Sequence, residues 1–345
     1  MTIQDFGYKG ELSPEIARVT AVHRERYELI TAEQFTFGRL KSAVYYQAAA
    51  PSFPTVGDYV RIAPNPSGDA LILDTLPRSS FFSRNDPTPG RGEQAVAANF
   101  DTVFLVSSLN RDCNLRRMER YLTLARRSGA QVVIVLTKAD LPEADAGTAE
   151  LVRAIAGDIP VCPVSVVSDQ GFDALKPYLQ PGQTLVLLGS SGVGKSSLVN
   201  YLAGEELMRV NATRDVDAAK GRHTTTHRQL LRLTSGVLII DTPGMRELGM
   251  SDAGDGLQSS FPDVESHLGR CRFRDCTHGS EPGCAIRHAI ETGLLAQERW
   301  DNYCQLQRES QAFQTKAEML REKQARNRSI AIKSRDIKKR RKFDL

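Results

Sequence analysis

The residues Gly189-Ser190-Ser191-Gly192-Val193-Gly194-Lys195-Ser196 have the spacing G-x-x-x-x-G-K-S, which suits one kind of chemistry, the cradling of a polyphosphate. Glycines lack the Cβ that would keep backbone N–H groups from turning toward phosphate oxygens, and a helix starting at the lysine adds the positive end of its dipole. Lys195 would reach the β- and γ-phosphates, the Ser196 hydroxyl would sit on Mg²⁺, and Ser197 follows at the helix start. Such a loop works only between a strand and a helix. The flanks supply both, since Gln183-Thr-Leu-Val-Leu-Leu188 is a short apolar run and Ser197-Leu-Val-Asn-Tyr-Leu202 has helical spacing.

A phosphate loop does not choose a base. Thr137-Lys138-Ala139-Asp140 follows the apolar run Gln131-Val-Val-Ile-Val-Leu136, at the carboxyl end of a strand where α/β folds bind ligands. It resembles the [N/T]KxD element of GTPases, in which a carboxylate accepts both N1–H and N2–H₂ of guanine and the lysine stem covers the base. Cys162-Pro-Val-Ser165-Val166 resembles the short segment that backs the base. Asp241-Thr242-Pro243-Gly244 matches D-x-x-G, with Asp241 expected to hold Mg²⁺ through water and the Gly244 N–H to sense the γ-phosphate. Between the phosphate loop and D-x-x-G lies Lys220-Gly-Arg-His223-Thr224-Thr225-Thr226-His227, where a switch threonine can close over Mg²⁺. Thr225 is the favoured ligand, with Thr224 and Thr226 as alternatives. The position after D-x-x-G is Met245, whose thioether cannot direct a water proton. Slow intrinsic hydrolysis is therefore expected, with His223 the first candidate to position water and His227 the second.

Ordinary small GTPases run phosphate loop, switch, D-x-x-G, guanine element. Here the guanine element comes first and the other three follow, a circular permutation, which is tolerable because domain termini often lie close together. With Leu76-Pro-Arg-Ser-Ser-Phe-Phe-Ser-Arg84, Ser108-Leu-Asn-Arg-Asp112 and Gly221-Arg-His-Thr-Thr-Thr226, this order resembles the ribosome small-subunit-dependent GTPase A family (RsgA/YjeQ) over about residues 10–310. The resemblance implies a multidomain protein: an N-terminal β-barrel (OB-fold) with its linker (1–92), a central α/β P-loop GTPase domain, circularly permuted (93–258), and a C-terminal helical zinc-binding domain with a basic tail (259–345). It also implies GTP hydrolysis stimulated by the 30S ribosomal subunit, late in maturation of that particle, with binding to 16S rRNA. A GTP-switch translation regulator with another RNA or protein partner is the alternative.

The supporting elements can be read from pattern. At 345 residues and 41% hydrophobic, the chain can bury real cores and suggests two or three domains. Residues 15–76 alternate in short runs (Ala17–Ala21, Phe35–Leu40, Gly57–Ile62, Ala70–Asp74) with turn signals between them, which predicts a small barrel. Pattern alone does not separate an OB-fold from an SH3-like barrel. Arg84–Gly92 is polar and Pro/Gly-rich, the expected linker, and Arg78, Arg84 and Arg91 are candidates for RNA contact.

Cys271, Cys276, His278 and Cys284 cluster, and such a set closes a tetrahedral structural zinc site. Cys113, Cys162 and Cys304 are expected to be small core residues. A helical arm is expected over about 289–326, with Leu294, Leu295, Trp300, Tyr303 and Leu306 packing. Residues 321–342 carry eleven Lys/Arg against two Asp/Glu, a net +9 in a chain of +4, leaving the rest near −5. Such a tail favours polyanions through counterion release. No apolar stretch approaches the roughly 20 residues of a membrane span and the amino terminus lacks a signal-like core, so a cytoplasmic protein is expected; its oligomeric state, which the sequence does not encode, is taken as monomer.

Overall fold

The computed structural model describes residues 1–23, 26–41, 53–85, 93–110, 113–142, 144, 146–208, 229–241, 257, 260–309 and 311. Thr224–His227, His223, Gly244, Met245, Arg91 and the basic tail lie outside the described residues.

Five short strands open the chain: β1 (Ile16–Val22), β2 (Tyr27–Ile30), β3 (Phe35–Leu40), β4 (Tyr59–Ala63) and β5 (Ala70–Thr75). They pair in the order β1-β2-β3-β5-β4, and β4 returns to β1, so the sheet closes on itself. β3 and β5 are parallel and the other pairs antiparallel. This connectivity is that of the OB-fold barrel, and it decides between the two barrels that pattern left open. Alternation fills the interior with Ala17, Val19, Leu29, Val60, Ile62, Ala70 and Ile72. A methyl at Gly38 would come within 2.6 Å of the Leu29 side chain, so the glycine lets β3 lie close over the core.

β6 (Phe81–Asn85) and β7 (Glu93–Ala98) form a separate antiparallel pair on either side of residues 86–92. Beyond it come β8 (Thr102–Ser108), α1 (Leu115–Arg127), β9 (Gln131–Thr137), α2 (Ala146–Ala156), β10 (Val161–Pro163), β11 (Thr184–Leu188), α3 (Lys195–Ala203), β12 (Gln229–Arg232) and β13 (Leu238–Asp241). Their order is β10-β9-β8-β11-β13-β12, parallel except for β12 against β13. The near-continuous apolar runs of β8 and β9 are what strands covered on both faces require. From β8 the chain steps outward through β9 and β10, then returns to β11 and builds the other way. The boundary between β8 and β11 is therefore the topological switch point, the crevice where open α/β sheets bind ligands.

The barrel joins this sheet where Ala21 of β1 pairs with Gln229 of β12. Beneath the joint Arg18 is 1% exposed. Its guanidinium donates to the carbonyls of Phe6, Gly57 (3.2 Å) and Asn99 (2.7 Å) and lies 4.9 Å from the Tyr59 ring centroid. Gly57 holds φ at +91°, and a Cβ there would sit 2.0 Å from the Ala98 carbonyl oxygen, so only glycine permits this approach.

The C-terminal part contains α4 (Pro262–Glu265), α5 (Ala285–Glu291) and α6 (297–309). The single arm expected from 289 onward is broken because Gly293 takes φ +74° and its N–H bonds back to Ile290, ending α5. The break turns Leu294 out, at 70% exposed, while Leu295, Tyr303 and Leu306 are buried. These three share one core with Met118 and Leu122 of α1 and with Phe261 and Val264. Cys162 is buried, whereas Cys113 and Cys304 are half-buried.

Candidate functional site

β11 delivers Gly189 at its carboxyl end, and the loop 189–194 turns directly into α3. Gly189, Gly192 and Gly194 take φ of 152°, 77° and 94°. A methyl at Gly189 would lie 2.2 Å from the Val106 carbonyl oxygen of β8, so this glycine is required by the neighbouring strand. Val193 is buried, while Ser191 and Gly192 are exposed and Ser190, Gly194, Lys195, Ser196 and Ser197 half-exposed at the rim. The Lys195 ammonium donates to the carbonyls of Gly189 (2.7 Å) and Ser190 (2.5 Å), folding across the concavity.

The guanine-type element meets this loop across the switch point. Thr137, the last residue of β9, donates through Oγ1 to the Val193 carbonyl at 2.5 Å, and Lys138 Nζ donates to the Gly192 carbonyl at 3.0 Å. Lys138 takes φ +60°, a left-handed backbone that turns its stem back over the phosphate loop. Asp140 is exposed, and the Ser165 hydroxyl donates to its Oδ1 at 2.5 Å. Ser165 is itself fixed by reciprocal backbone bonds with Gln170, and Val166 follows it at the half-exposed rim. Tyr201 of α3 stacks on Phe172 at 3.8 Å, tying the segment that follows Ser165 to the phosphate-loop helix.

Asp241 ends β13, the strand beside β11. Burial pushes its carboxyl above the usual carboxylate range, and the Lys195 charge opposes that rise. One contact the motifs did not signal comes from α1. Asn114 caps this helix by accepting from the Arg117 N–H at 2.9 Å, and the Arg117 guanidinium donates to Ser190 Oγ at 3.0 Å. A cavity of about 20 Å³ lies between them, lined in part by Ser107, Asn114, Met118 and Val193. Only the strand order reveals this pair, because it sets α1 beside the loop after β11.

In the C-terminal part the ligand atoms of Cys271, Cys276, His278 and Cys284 all lie within 4.8 Å of one another. His278 Nδ1 is 3.4, 3.7 and 3.5 Å from the three sulfurs, and the Cys271 and Cys284 sulfurs are 4.0 Å apart. A tetrahedron with metal–sulfur bonds of about 2.3 Å has edges of roughly 3.8 Å, so the set is gathered closely enough to hold one tetrahedral cation. His278 takes φ +62° to point inward, and the Ala285 N–H donates to Cys271 Sγ at 3.4 Å, an outer bond of the kind that orients a thiolate. Burial pushes the Cys276 thiol up to about 11, so a cation bound there displaces a proton. The Trp300 ring stands edge-on to His278 at 5.4 Å.

A barrel closed in OB order, fused to a P-loop sheet whose guanine-type strand precedes its phosphate-loop strand in the chain, defines a circularly permuted GTPase. A family model described as the RsgA GTPase matches residues 75–251. The small ribosomal subunit biogenesis GTPase RsgA 2 of Listeria monocytogenes serotype 4b is 45% identical over 316 residues, covering 90% of this chain and 89% of that protein. This chain belongs to the RsgA GTPase family. Among solved structures, YjeQ from Thermotoga maritima matches with a TM-score of 0.60 at 27% identity, covering 86% of this chain and 98% of that one. YloQ, described as a circularly permuted GTPase, matches with 0.57 at 26%, covering 88% and 98%.

Proposed function

We propose that this GTPase acts in biogenesis of the small ribosomal subunit, hydrolysing GTP when bound to the 30S particle and contacting 16S rRNA. The observation that carries the reading is the direct bonding of the guanine-type element to the phosphate loop, through Thr137 to Val193 and Lys138 to Gly192. Those bonds make base recognition and phosphate binding one rigid site. The name of the Listeria relative supplies the small subunit.

Asp140, with Thr137, Lys138, Ser165 and Val166, takes the base; Gly189 through Ser197 take the phosphates. Lys195, which now bonds two loop carbonyls, would exchange them for β- and γ-phosphate oxygens. Ser196, Asp241 and Thr225 would hold Mg²⁺, which would neutralise charge developing on the transferred phosphoryl group. The Gly244 N–H would meet the γ-phosphate, and His223 would position the attacking water. Cys271, Cys276, His278 and Cys284 would hold one structural zinc. The units are taken as 1–92, 93–258 and 259–345, working as a cytoplasmic monomer. No helix among the described residues is long and apolar enough to cross a membrane.

GTP turnover measured alone and with purified 30S or 50S subunits tests the reading. Stimulation by 30S only is expected, and completing such a site is worth roughly 10³–10⁵ in rate in related systems. His223→Ala should abolish stimulated turnover while GTP binding persists. Equal or absent stimulation by the two subunits would remove the small-subunit partner.

A further inference from the structure

The helix α1 touches both ends of the molecule's chemistry. In its first turn Arg117 bonds Ser190 Oγ at 3.0 Å, and the carbonyl of that serine accepts from the Lys195 ammonium. Two residues later Glu119, 6% exposed, accepts from Arg299 and Asn302 of α6. Arg299 also bonds Asp263 (2.8 Å) and the Ser260 carbonyl (3.0 Å), and lies 4.6 Å from the Phe261 ring centroid. One residue on, Arg120 pairs with Glu309 at 3.0 Å. The C-terminal part therefore grips α1 within one turn of the side chain that holds the phosphate loop.

We propose that Arg117 is a positioning residue for the phosphate loop, holding Ser190 and with it the loop backbone that leads to Lys195, and that docking of α6 on Glu119 controls where Arg117 stands. A carboxylate buried against an arginine holds its helix in one place, since removing either partner leaves the other charge buried and unpaired. If α6 undocks, the turn of α1 that carries Arg117 loses an anchor, and the 3.0 Å bond to Ser190 Oγ weakens as that turn moves. Because Lys195 is the residue expected to span β- and γ-phosphates, the triphosphate should feel this more than the diphosphate. The inference rests on the nucleotide site proposed above and not on the ribosomal partner.

A double-mutant cycle on the full chain tests it, using a fluorescent non-hydrolysable GTP analogue and fluorescent GDP as probes. Arg117→Ala should weaken the analogue about fivefold or more and GDP less than twofold, with Arg117→Lys recovering part of the loss. A purely structural role would move both nucleotides together. Arg299→Met should weaken the analogue in the parent but change it less than twofold in the Arg117→Ala background. Should Arg299→Met unfold α6, Glu119→Gln, which keeps shape and removes the charge, takes its place. Effects that multiply in the double variant, or an Arg117→Ala protein that binds both nucleotides like the parent, would overturn the proposal. No ribosomal particle enters the measurement, so loss of the 30S reading leaves it intact.

Discussion

Asp241 shows how a carboxylate at the candidate nucleotide site trades against stability. Its folded-state pKa is raised by burial, with Lys195 only partly compensating. For an acid raised in this way the stabilising contribution is complete below the unfolded value of about 4 and is lost as pH climbs through the folded one. At neutral pH, well above the unfolded value, the raised pKa therefore costs stability in the nucleotide-free protein. Asp241→Asn should melt higher than the parent at pH 7–8, by roughly 2 °C or more, with the gap closing toward pH 4, while GTP turnover falls. Circular-dichroism melts across that pH range decide it, and a variant melting below the parent at pH 8 would refute the burial argument. Residues of the two candidate sites were legible wherever a local spacing encodes the chemistry, as at Asp140 and Lys195 around the phosphate loop and at the Cys/His set of the C-terminal part. Arg117 was not, because its partner lies 73 positions away and nothing short-range marks the pair.

At the scale of elements, sequence alternation found four of the five barrel strands and missed β2, where Tyr27-Glu-Leu-Ile30 is too short for a period to register. It also missed the β6–β7 pair, whose strands flank a polar stretch that reads as linker, and it ran one helix through Gly293. Each miss is a case of tertiary pairing or one left-handed residue overriding a weak local signal. The joint between barrel and sheet was equally invisible, since a buried arginine looks like any other in a sequence. Burial lowers the Arg18 pKa, yet the group stays charged and serves three carbonyls from three separate segments. Arg18→Met strands those acceptors without a donor, at a cost of roughly 3 kcal/mol or more. Urea unfolding should show that loss. A midpoint within error of the parent would mean water replaces the guanidinium.

For the whole molecule, the weakest part to stand alone is the segment 260–309. Its buried apolar residues, among them Phe261, Val264, Ile286 and Leu306, all belong to the core shared with α1, while the loop 271–284 contains no helix or strand. A stretch with so little core of its own would gain order from a cation bound at the Cys/His set, whose binding energy would be folding energy. The single tryptophan of the chain, Trp300, lies edge-on to His278 and stacked on Tyr303 at 5.7 Å, so it reports the state of that loop. A chelator, or Cys284→Ser, should move Trp300 emission to the red as the ring meets water, and one equivalent of Zn²⁺ should restore the parent spectrum after chelation but not in the variant. GDP binding should change less than the emission does, because the nucleotide site is built on β9, β11 and α3, and what reaches it from α6 passes through Arg117. Emission unchanged after the cation is shown by elemental analysis to be gone would mean that packing against α1 alone holds the loop, and that the cysteines serve some other end.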